Sequence, residues 1–271
     1  MQQLKKGLFA GALLIGISGA GASADVIDTV FGSGTGATVD GSVAGGEYAA
    51  TVSGGGGGFG GPVGGATLSL DTSATGIHFA LSGLGDYSGN SIRIYFDTRD
   101  GGFSDISSTG GFNDNGDFGR EQLSRPARDG VTLPFAADYG WVISPAFGGF
   151  QALFELATGG ANSLIFAGNG VNTSPVGEFP TASTFEAFIP FADLGISAGD
   201  TVDFVLLYAN NGGFGDAFLS DESFPFQFGS NPGHGPATVD DFHRFITTVP
   251  EPGSMALLGL GGLALLRRRR A

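Results

Sequence analysis

Short segments in which apolar and polar residues alternate constrain the fold of this chain more than any other feature. The clearest of them are residues 77–81, 92–97, 150–156, 184–189 and 202–208. Alternation with a period of two predicts β-strands that turn one face to a core. No window of useful length has the i, i+3, i+4, i+7 spacing of an amphipathic helix, and only residues 190–194, followed by Gly195, predict a helical turn.

Turn-forming residues separate these segments and indicate how the strands are connected. The chain has 51 glycines and no cysteine, so its stability has to come from a core rather than from disulfides. Residues 54–65 are almost all glycine, which predicts a surface loop because glycine loses the most backbone entropy on ordering. Together these features predict an all-β fold, a single antiparallel β-sandwich of jelly-roll or immunoglobulin-like type with long Gly-rich loops.

The first 24 residues have the three parts of a secretory signal peptide. Lys5 and Lys6 give a basic start, residues 7–22 are apolar, and Ala22 and Ala24 form a small-residue cleavage site. We expect an N-terminal signal helix that signal peptidase removes. The mature protein would then begin at Asp25.

The last 24 residues combine three features in a fixed order. A rigid Pro-Glu-Pro tripeptide is followed by the uncharged, apolar residues 255–266 and then by four arginines. The residues that define the motif are Pro250, Glu251, Pro252, Arg267, Arg268, Arg269 and Arg270. The arginines favour a short C-terminal membrane helix with its end on the cytoplasmic side, so the body upstream lies outside the inner membrane.

This order resembles the PEP-CTERM sorting signal. The resemblance implies a Gram-negative bacterium that makes extracellular polysaccharide, transient insertion in the inner membrane and recognition by an exosortase. The protein would end at the cell surface or in the extracellular matrix. A permanent C-terminal anchor is the alternative. The chain then divides into a signal peptide (1–24), a β-sandwich domain (25–247) and a sorting signal (248–271).

The charge of the body excludes one large class of partners. Six of the 12 basic residues and one of the 26 acidic residues lie in the two ends, so the body has 6 basic and 25 acidic residues and no lysine. Such a surface repels the phosphates of nucleic acids, and we expect no nucleic-acid partner.

Three motifs of the body resemble a family of sugar-binding domains. They are Asp40-Gly41 with Glu47-Tyr48, the segment SIRIYFDTRDGG (91–102) and the segment FEAFIPFADLGISAGDTVDFVLLY (185–208). They are similar to motifs of the family-nine-type carbohydrate-binding modules and their DOMON-like relatives. The resemblance implies a β-sandwich that binds a sugar or another small ligand and carries a structural calcium ion.

Acidic residues near the centre of the chain are candidate calcium ligands. They are Asp97, Asp100, Asp105, Asp114 and Asp117, in loops rich in glycine. Calcium takes several oxygen ligands from flexible loops, which favours a structural Ca²⁺ site here. Their spacing is not that of an EF-hand, and the alternative is that Asp and Gly are simply the residues that turns prefer.

Aromatic residues and catalytic motifs complete the list of candidates. Tyr139 and Trp141 begin a predicted strand, where they could form a platform for a sugar or belong to the core. No catalytic motif occurs, although Glu155 and Glu186 could serve as a glycosidase pair.

We expect a non-enzymatic surface or matrix protein that binds exopolysaccharide with calcium support. The alternatives are a secreted polysaccharide hydrolase and a purely structural matrix component.

Overall fold

A computed structural model gives the structure of most of the body. It describes residues 25–55, 63–85, 89–106, 118–124, 130–144, 150–156, 164–168, 183–210, 219–224, 228 and 230–247, with backbone alone for 25–31 and 164–168. Within these ranges no helix has the length and apolar character needed to cross a membrane. The predicted signal helix, with Ala22 and Ala24, and the predicted C-terminal membrane helix lie outside them.

The described part of the chain is mostly β-structure, as predicted. The strands are β1 Asp25–Phe31, β2 Ala50–Ser53, β3 Thr67–Thr72, β4 Gly76–Ser82, β5 Asn90–Asp97, β6 Phe103–Asp105, β7 Val131–Ala137, β8 Tyr139–Ser144, β9 Phe150–Leu156, β10 Leu164–Gly168, β11 Thr184–Pro190, β12 Thr201–Asn210, β13 Leu219–Phe224, β14 Ala237–Thr238 and β15 Asp241–Ile246. The predicted helical turn is a 3-10 helix, Phe191–Leu194, and Gly195 ends it in the left-handed conformation with φ 64°. A short helix, α1 (Phe118–Ser124), was not predicted.

The central element is β12, the longest of these strands. It pairs along one edge with β5, while β15 and β13 share its other edge. The path across this large sheet is β1-β15-β12-β5-β8-β9-β10. Eight consecutive residues of β12, from Val202 to Ala209, are buried, and nearly all are apolar. Such a continuous apolar run is typical of a strand covered on both faces.

Two smaller sheets accompany the large one. Their strand orders are β11-β4-β3-β2 and β14-β7-β6. Strand pairing is antiparallel, as predicted, except that β1 runs parallel to β15 and β14 runs parallel to β7.

The first core is shared by the large sheet and the four-stranded sheet. Trp141 of β8 is fully buried there, with its ring centroid 5.6 Å from that of Phe79 and 5.7 Å from that of Phe185. Alternate residues of β5 and β12, including Ile94 and Leu206, belong to the same cluster. Burial of these large side chains is the main favourable contribution to folding.

The second core lies on the opposite face of the large sheet. Tyr95 and Leu207 point to this side, where they join Leu133 of β7 and Leu123 of α1. The prediction that each strand has one core face is therefore wrong for β5, β8 and β12. In these strands most of the residues between those of the first core are also apolar or aromatic. They include Tyr95, Val142 and Leu207, which build the second core.

A buried carboxylate attaches the segment before β2 to the four-stranded sheet. Glu186 is fully buried although it lies on the face of β11 opposite the first core. Its Oε2 accepts hydrogen bonds from the backbone N–H groups of Asp40 (3.0 Å), Gly41 and Ser42 (3.1 Å). Its Oε1 accepts a hydrogen bond of 2.7 Å from the hydroxyl of Tyr48. Burial, together with this hydrogen bond, raises the pKa of Tyr48 and keeps it a donor.

Glu186→Gln is expected to lower the free energy of unfolding by about 3 kcal/mol, because hydrogen bonds to a buried carboxylate are about twice as strong as those to a neutral amide. The glutamine retains one oxygen for the N–H groups, and its amino group can face the Tyr48 hydroxyl, so the fold persists. The measurement is denaturant unfolding at neutral pH. Asp240→Asn, which removes one charge at an exposed position, is the matched control; equal effects of the two substitutions would contradict this account.

Candidate functional site

Three carboxylates from distant parts of the sequence meet beside β5, β8 and β12. Asp97 ends β5, Asp203 lies opposite it on β12, and Asp138 occupies the single position between β7 and β8. The N–H of Asp138 donates to the carbonyl oxygen of Phe96 at 2.7 Å, which holds this residue against the end of β5. We call Asp97, Asp138 and Asp203 the carboxylate cluster.

Two members of the carboxylate cluster each form an ion pair with an arginine. Arg244 donates to both carboxylate oxygens of Asp203, each bond 2.7 Å long. The Nε of Arg99 lies 3.6 Å from Oδ1 of Asp138, whose Oδ2 accepts the N–H groups of Thr98 (2.8 Å) and Arg99 (2.9 Å). A bidentate pair and a carboxylate bound by two N–H groups are strong, directional arrangements.

Asp97 differs from its two neighbours because, in the described structure, it has no ion pair with an arginine. Its acidic neighbours are Asp138 and Asp203. Burial first, and then the charges of Asp138 and Asp203, raise the pKa of Asp97 to about 6. Asp97 therefore takes up a proton at a higher pH than an exposed aspartate does.

Arg99 forms the solvent-facing side of the cluster. Its guanidinium lies over the ring of Tyr139, 5.2 Å from the centroid, and is paired with Glu155 of β9. The arginine side chain is 44% exposed, so this layer separates the carboxylates from bulk water only in part. Asp97, with its raised pKa, therefore lies next to a polar, partly open surface.

The predicted calcium ligands are only partly brought together. Asp97 belongs to the carboxylate cluster, while Asp100 and Asp105 are exposed and Asp114 and Asp117 lie outside the described residues. Within the described part of the chain, no group of three or more His, Asp or Glu side chains is arranged to hold a metal ion. The predicted five-residue site therefore stays a prediction.

Two members of the cluster were missed by sequence reasoning. Asp203 occupies a polar position in the alternation of β12, and Asp138 interrupts a run of strand residues. These irregularities were visible in the sequence. Their proximity to Asp97 was not, because it depends on the pairing of β5 with β12 for Asp203 and on the hydrogen bond to Phe96 for Asp138.

The aromatic candidates lie inside the protein. Trp141 is fully buried and Tyr139 is 4% exposed, with Arg99 above its ring. Trp141 thus has the surroundings of a core residue, which was the alternative to a sugar platform. Of the two glutamates considered for catalysis, Glu155 is paired with Arg99, and Glu186 accepts four hydrogen bonds.

The C-terminus can be assigned by comparison with known families. Residues 248–270 match the family model described as the PEP-CTERM protein-sorting motif. This match supports the prediction made for the tail, and such a motif implies an exported protein that an exosortase processes and sorts to the cell surface. No curated protein and no solved structure matches the chain, and the family of the body is not identified.

Asp97→Asn is expected to stabilise the protein at pH 7.5 and to have a smaller effect at pH 4.5. The folded-state pKa of about 6 exceeds the unfolded value. The folded state therefore binds more protons between pH 4 and pH 6, and stability falls as the pH rises through this window. Asparagine imitates the protonated acid, so it removes the repulsion that ionised Asp97 experiences.

After allowance for solvent screening, the gain at pH 7.5 is about 1 kcal/mol, or roughly 2–4 °C in Tm. Thermal unfolding of both proteins from pH 4.5 to 7.5 measures it, with the exposed Asp100→Asn as control. If Asp97→Asn followed the pH dependence of the parent protein, the raised pKa would not contribute to stability.

Proposed function

We propose that this protein is a non-enzymatic component of the cell surface or extracellular matrix, with its β-rich body outside the inner membrane. The observation that carries the proposal is the match of residues 248–270 to the PEP-CTERM motif. The signal-peptide pattern of residues 1–24 supports it from the other end of the chain. A body with 25 acidic and 6 basic residues stays soluble through its charge once it is released.

The route to the surface follows from the two ends. Signal peptidase cuts after Ala24, and residues 255–266 hold the intermediate in the inner membrane with Arg267 to Arg270 inside. The apolar stretch is short against the roughly 20 residues of a stable span, which suits a segment that is later removed. Exosortase then acts near Pro250-Glu251-Pro252, and the membrane segment is separated from the body.

The released protein is expected to begin at Asp25 and to lack Arg267–Arg270. Mass spectrometry of the extracellular or surface-washed fraction measures both termini. Replacing Pro250, Glu251 and Pro252 by alanine should retain the full tail and keep the protein in the membrane fraction. Released protein that still carries the four arginines would contradict cleavage, and membrane-bound protein in the unaltered strain would favour the permanent anchor.

We also propose that the body is a β-sandwich of jelly-roll or immunoglobulin-like type. The core shared by the large and four-stranded sheets supports a sandwich, since both sheets contribute alternate residues to it. The third, three-stranded sheet and α1 add a layer on the far side of the large sheet. The protein therefore differs from a simple two-layer sandwich by this additional layer.

Exopolysaccharide is the ligand that we propose for the body, with calcium support. The resemblance of three segments to carbohydrate-binding modules supports the ligand class. Asp97 and Asp138 offer the hard carboxylate oxygens that Ca²⁺ takes, and a divalent cation bound by Asp97 would compete with the proton that its raised pKa favours. Their two carboxylates are fewer than the six to eight ligands of a usual calcium site, so Asp100, Asp105, Asp114 and Asp117 remain proposed ligands.

The full-length protein is expected to bind the organism's own exopolysaccharide more strongly in millimolar Ca²⁺ than in chelator. Co-sedimentation with the polysaccharide measures the bound fraction in both conditions. Asp97→Asn should remove most of the calcium dependence, whereas the exposed control Asp240→Asn should retain it.

The same assay separates the alternatives. No binding in either condition would favour a structural component without a specific ligand. Release of reducing ends from the polysaccharide, lost in Glu155→Gln, would favour a hydrolase. Binding that is equal in calcium and in chelator would support the ligand class while removing calcium from the proposal.

A further inference from the structure

The turn before β12 holds the last residue of the body in place. Thr247 is fully buried. Its N–H donates to the carbonyl oxygen of Asp200 (2.9 Å), and its own carbonyl oxygen accepts a hydrogen bond from the N–H of Gly199 (2.6 Å). The Thr247 hydroxyl lies within hydrogen-bonding distance of the carbonyl oxygens of Ser197 (3.0 Å) and Asp200 (2.8 Å). The tail therefore leaves the body at a fixed point beside the start of β12.

The strand that leads to this point is anchored inside the large sheet. β15 lies between β1 and β12 and pairs with both of them. Phe245 of β15 belongs to the first core and Phe242 to the second. Pulling β15 out of the sheet would break two strand pairings and disturb both cores, so a folded body keeps the exit point of its tail.

The exit point and the carboxylate cluster lie at the same end of the large sheet. β5 and β12 are antiparallel, which places Asp97 at the end of β5 opposite Asp203 near the start of β12. Arg244, the partner of Asp203, precedes Thr247 by three residues, or about 10 Å along the strand. We call the end that carries Thr247 and the carboxylate cluster the exit end. Asp240, just before β15, lies at the opposite end, about 23 Å from Thr247 along the strand.

The tether between the body and the predicted membrane segment is short. Only residues 248–254 separate Thr247 from the apolar residues 255–266, and these seven residues reach at most about 24 Å when fully extended. The apolar stretch is itself shorter than the roughly 20 residues of a stable span, so it has no spare length to give to the tether. A compact body of about 220 residues has a radius of gyration of about 17 Å and a width above about 40 Å. The tether is therefore little more than half as long as the body is wide.

We propose that the carboxylate cluster cannot turn away from the membrane while the tail is inserted, and that cleavage of the tail exposes it to the extracellular matrix. This inference rests on the proposed function, because it takes the tail to be a membrane segment that exosortase removes. To point the exit end away from the membrane, the tether would have to span the width of the body. The restriction is one of length, so it requires no attraction between the acidic body and lipid headgroups. A large ligand such as a polysaccharide would then reach the cluster freely only after release.

Energy transfer to a labelled membrane measures which end of the body lies closer to it. The chain has no cysteine, so one introduced cysteine carries the donor dye without background. Asp100→Cys, three residues after β5, places the donor at the exit end, and the matched Asp240→Cys places it at the opposite end; both aspartates are exposed. Full-length protein in which Pro250, Glu251 and Pro252 are replaced by alanine keeps its tail, and it is placed in vesicles with acceptor dye on the lipid headgroups. We expect several-fold more efficient transfer from Asp100→Cys than from Asp240→Cys.

A longer tether is the control for this experiment. Inserting about 20 glycine and serine residues between Thr247 and Thr248 gives a flexible coil that lets the body rotate. The ratio of the two transfer efficiencies should then fall toward one. Equal transfer from the two positions in the protein with its own tether would overturn the proposal. A ratio that the inserted residues leave unchanged would also overturn it, because tether length would then not set the orientation.

Binding of the organism's exopolysaccharide to the vesicle-bound and the released protein tests the consequence. The released protein should bind in millimolar Ca²⁺, and the vesicle-bound protein should bind several-fold less until its tether is lengthened. Equal binding by the two forms would overturn the shielding of the cluster. If the released protein does not bind, the proposed ligand is wrong, whereas the energy transfer still decides which end faces the membrane.

Discussion

Buried carboxylates that accept backbone N–H groups hold the connections of this protein in place. Glu186 binds three consecutive N–H groups of the segment before β2. Asp71 binds the N–H (2.5 Å) and hydroxyl (2.9 Å) of Ser33, and Glu222 binds the N–H of Val63 (2.7 Å). Each bond joins residues at least 38 positions apart, so each one helps to offset the entropy cost of closing a long loop.

The charge composition explains why these partners are backbone groups. A body with six basic and 25 acidic residues, and no lysine, cannot give each acid an arginine. An N–H group is the alternative donor, and several directed at one oxygen can stabilise the ionised form as well as a salt bridge does. The glycines next to these sites, such as Gly41 and Gly64, let the chain turn its N–H groups toward the carboxylate. Gly41 has a φ of 87°, a conformation that other residues rarely adopt.

The large sheet contributes to both cores because both of its faces are covered. One face builds the core with Trp141, and the other builds the core with Tyr95 and the charge of Arg93. The strand β5 thus carries a buried cation in its middle and an acid with a raised pKa at its end. The sheet presents the carboxylate cluster beside its paired strands β5 and β12, on a protein whose tail matches the PEP-CTERM sorting motif.

The sequence by itself determined the parts of this protein that depend on local order. Alternation predicted the strands, Gly195 ended the helical turn where expected, and the tail could be assigned because a sorting motif is a linear signal. Helix α1 escaped prediction because seven residues are too few for a helical period to appear.

Only the tertiary structure decided which residues meet. Asp97 and Asp203 are neighbours through strand pairing, and Glu186 reaches Asp40 across 146 positions. The same is true of the burial of Arg93, since a position that alternates with core residues is exposed or buried according to what packs on the second face. Pairing and packing of distant segments depend on the free energy of the whole fold, and no local pattern contains that information.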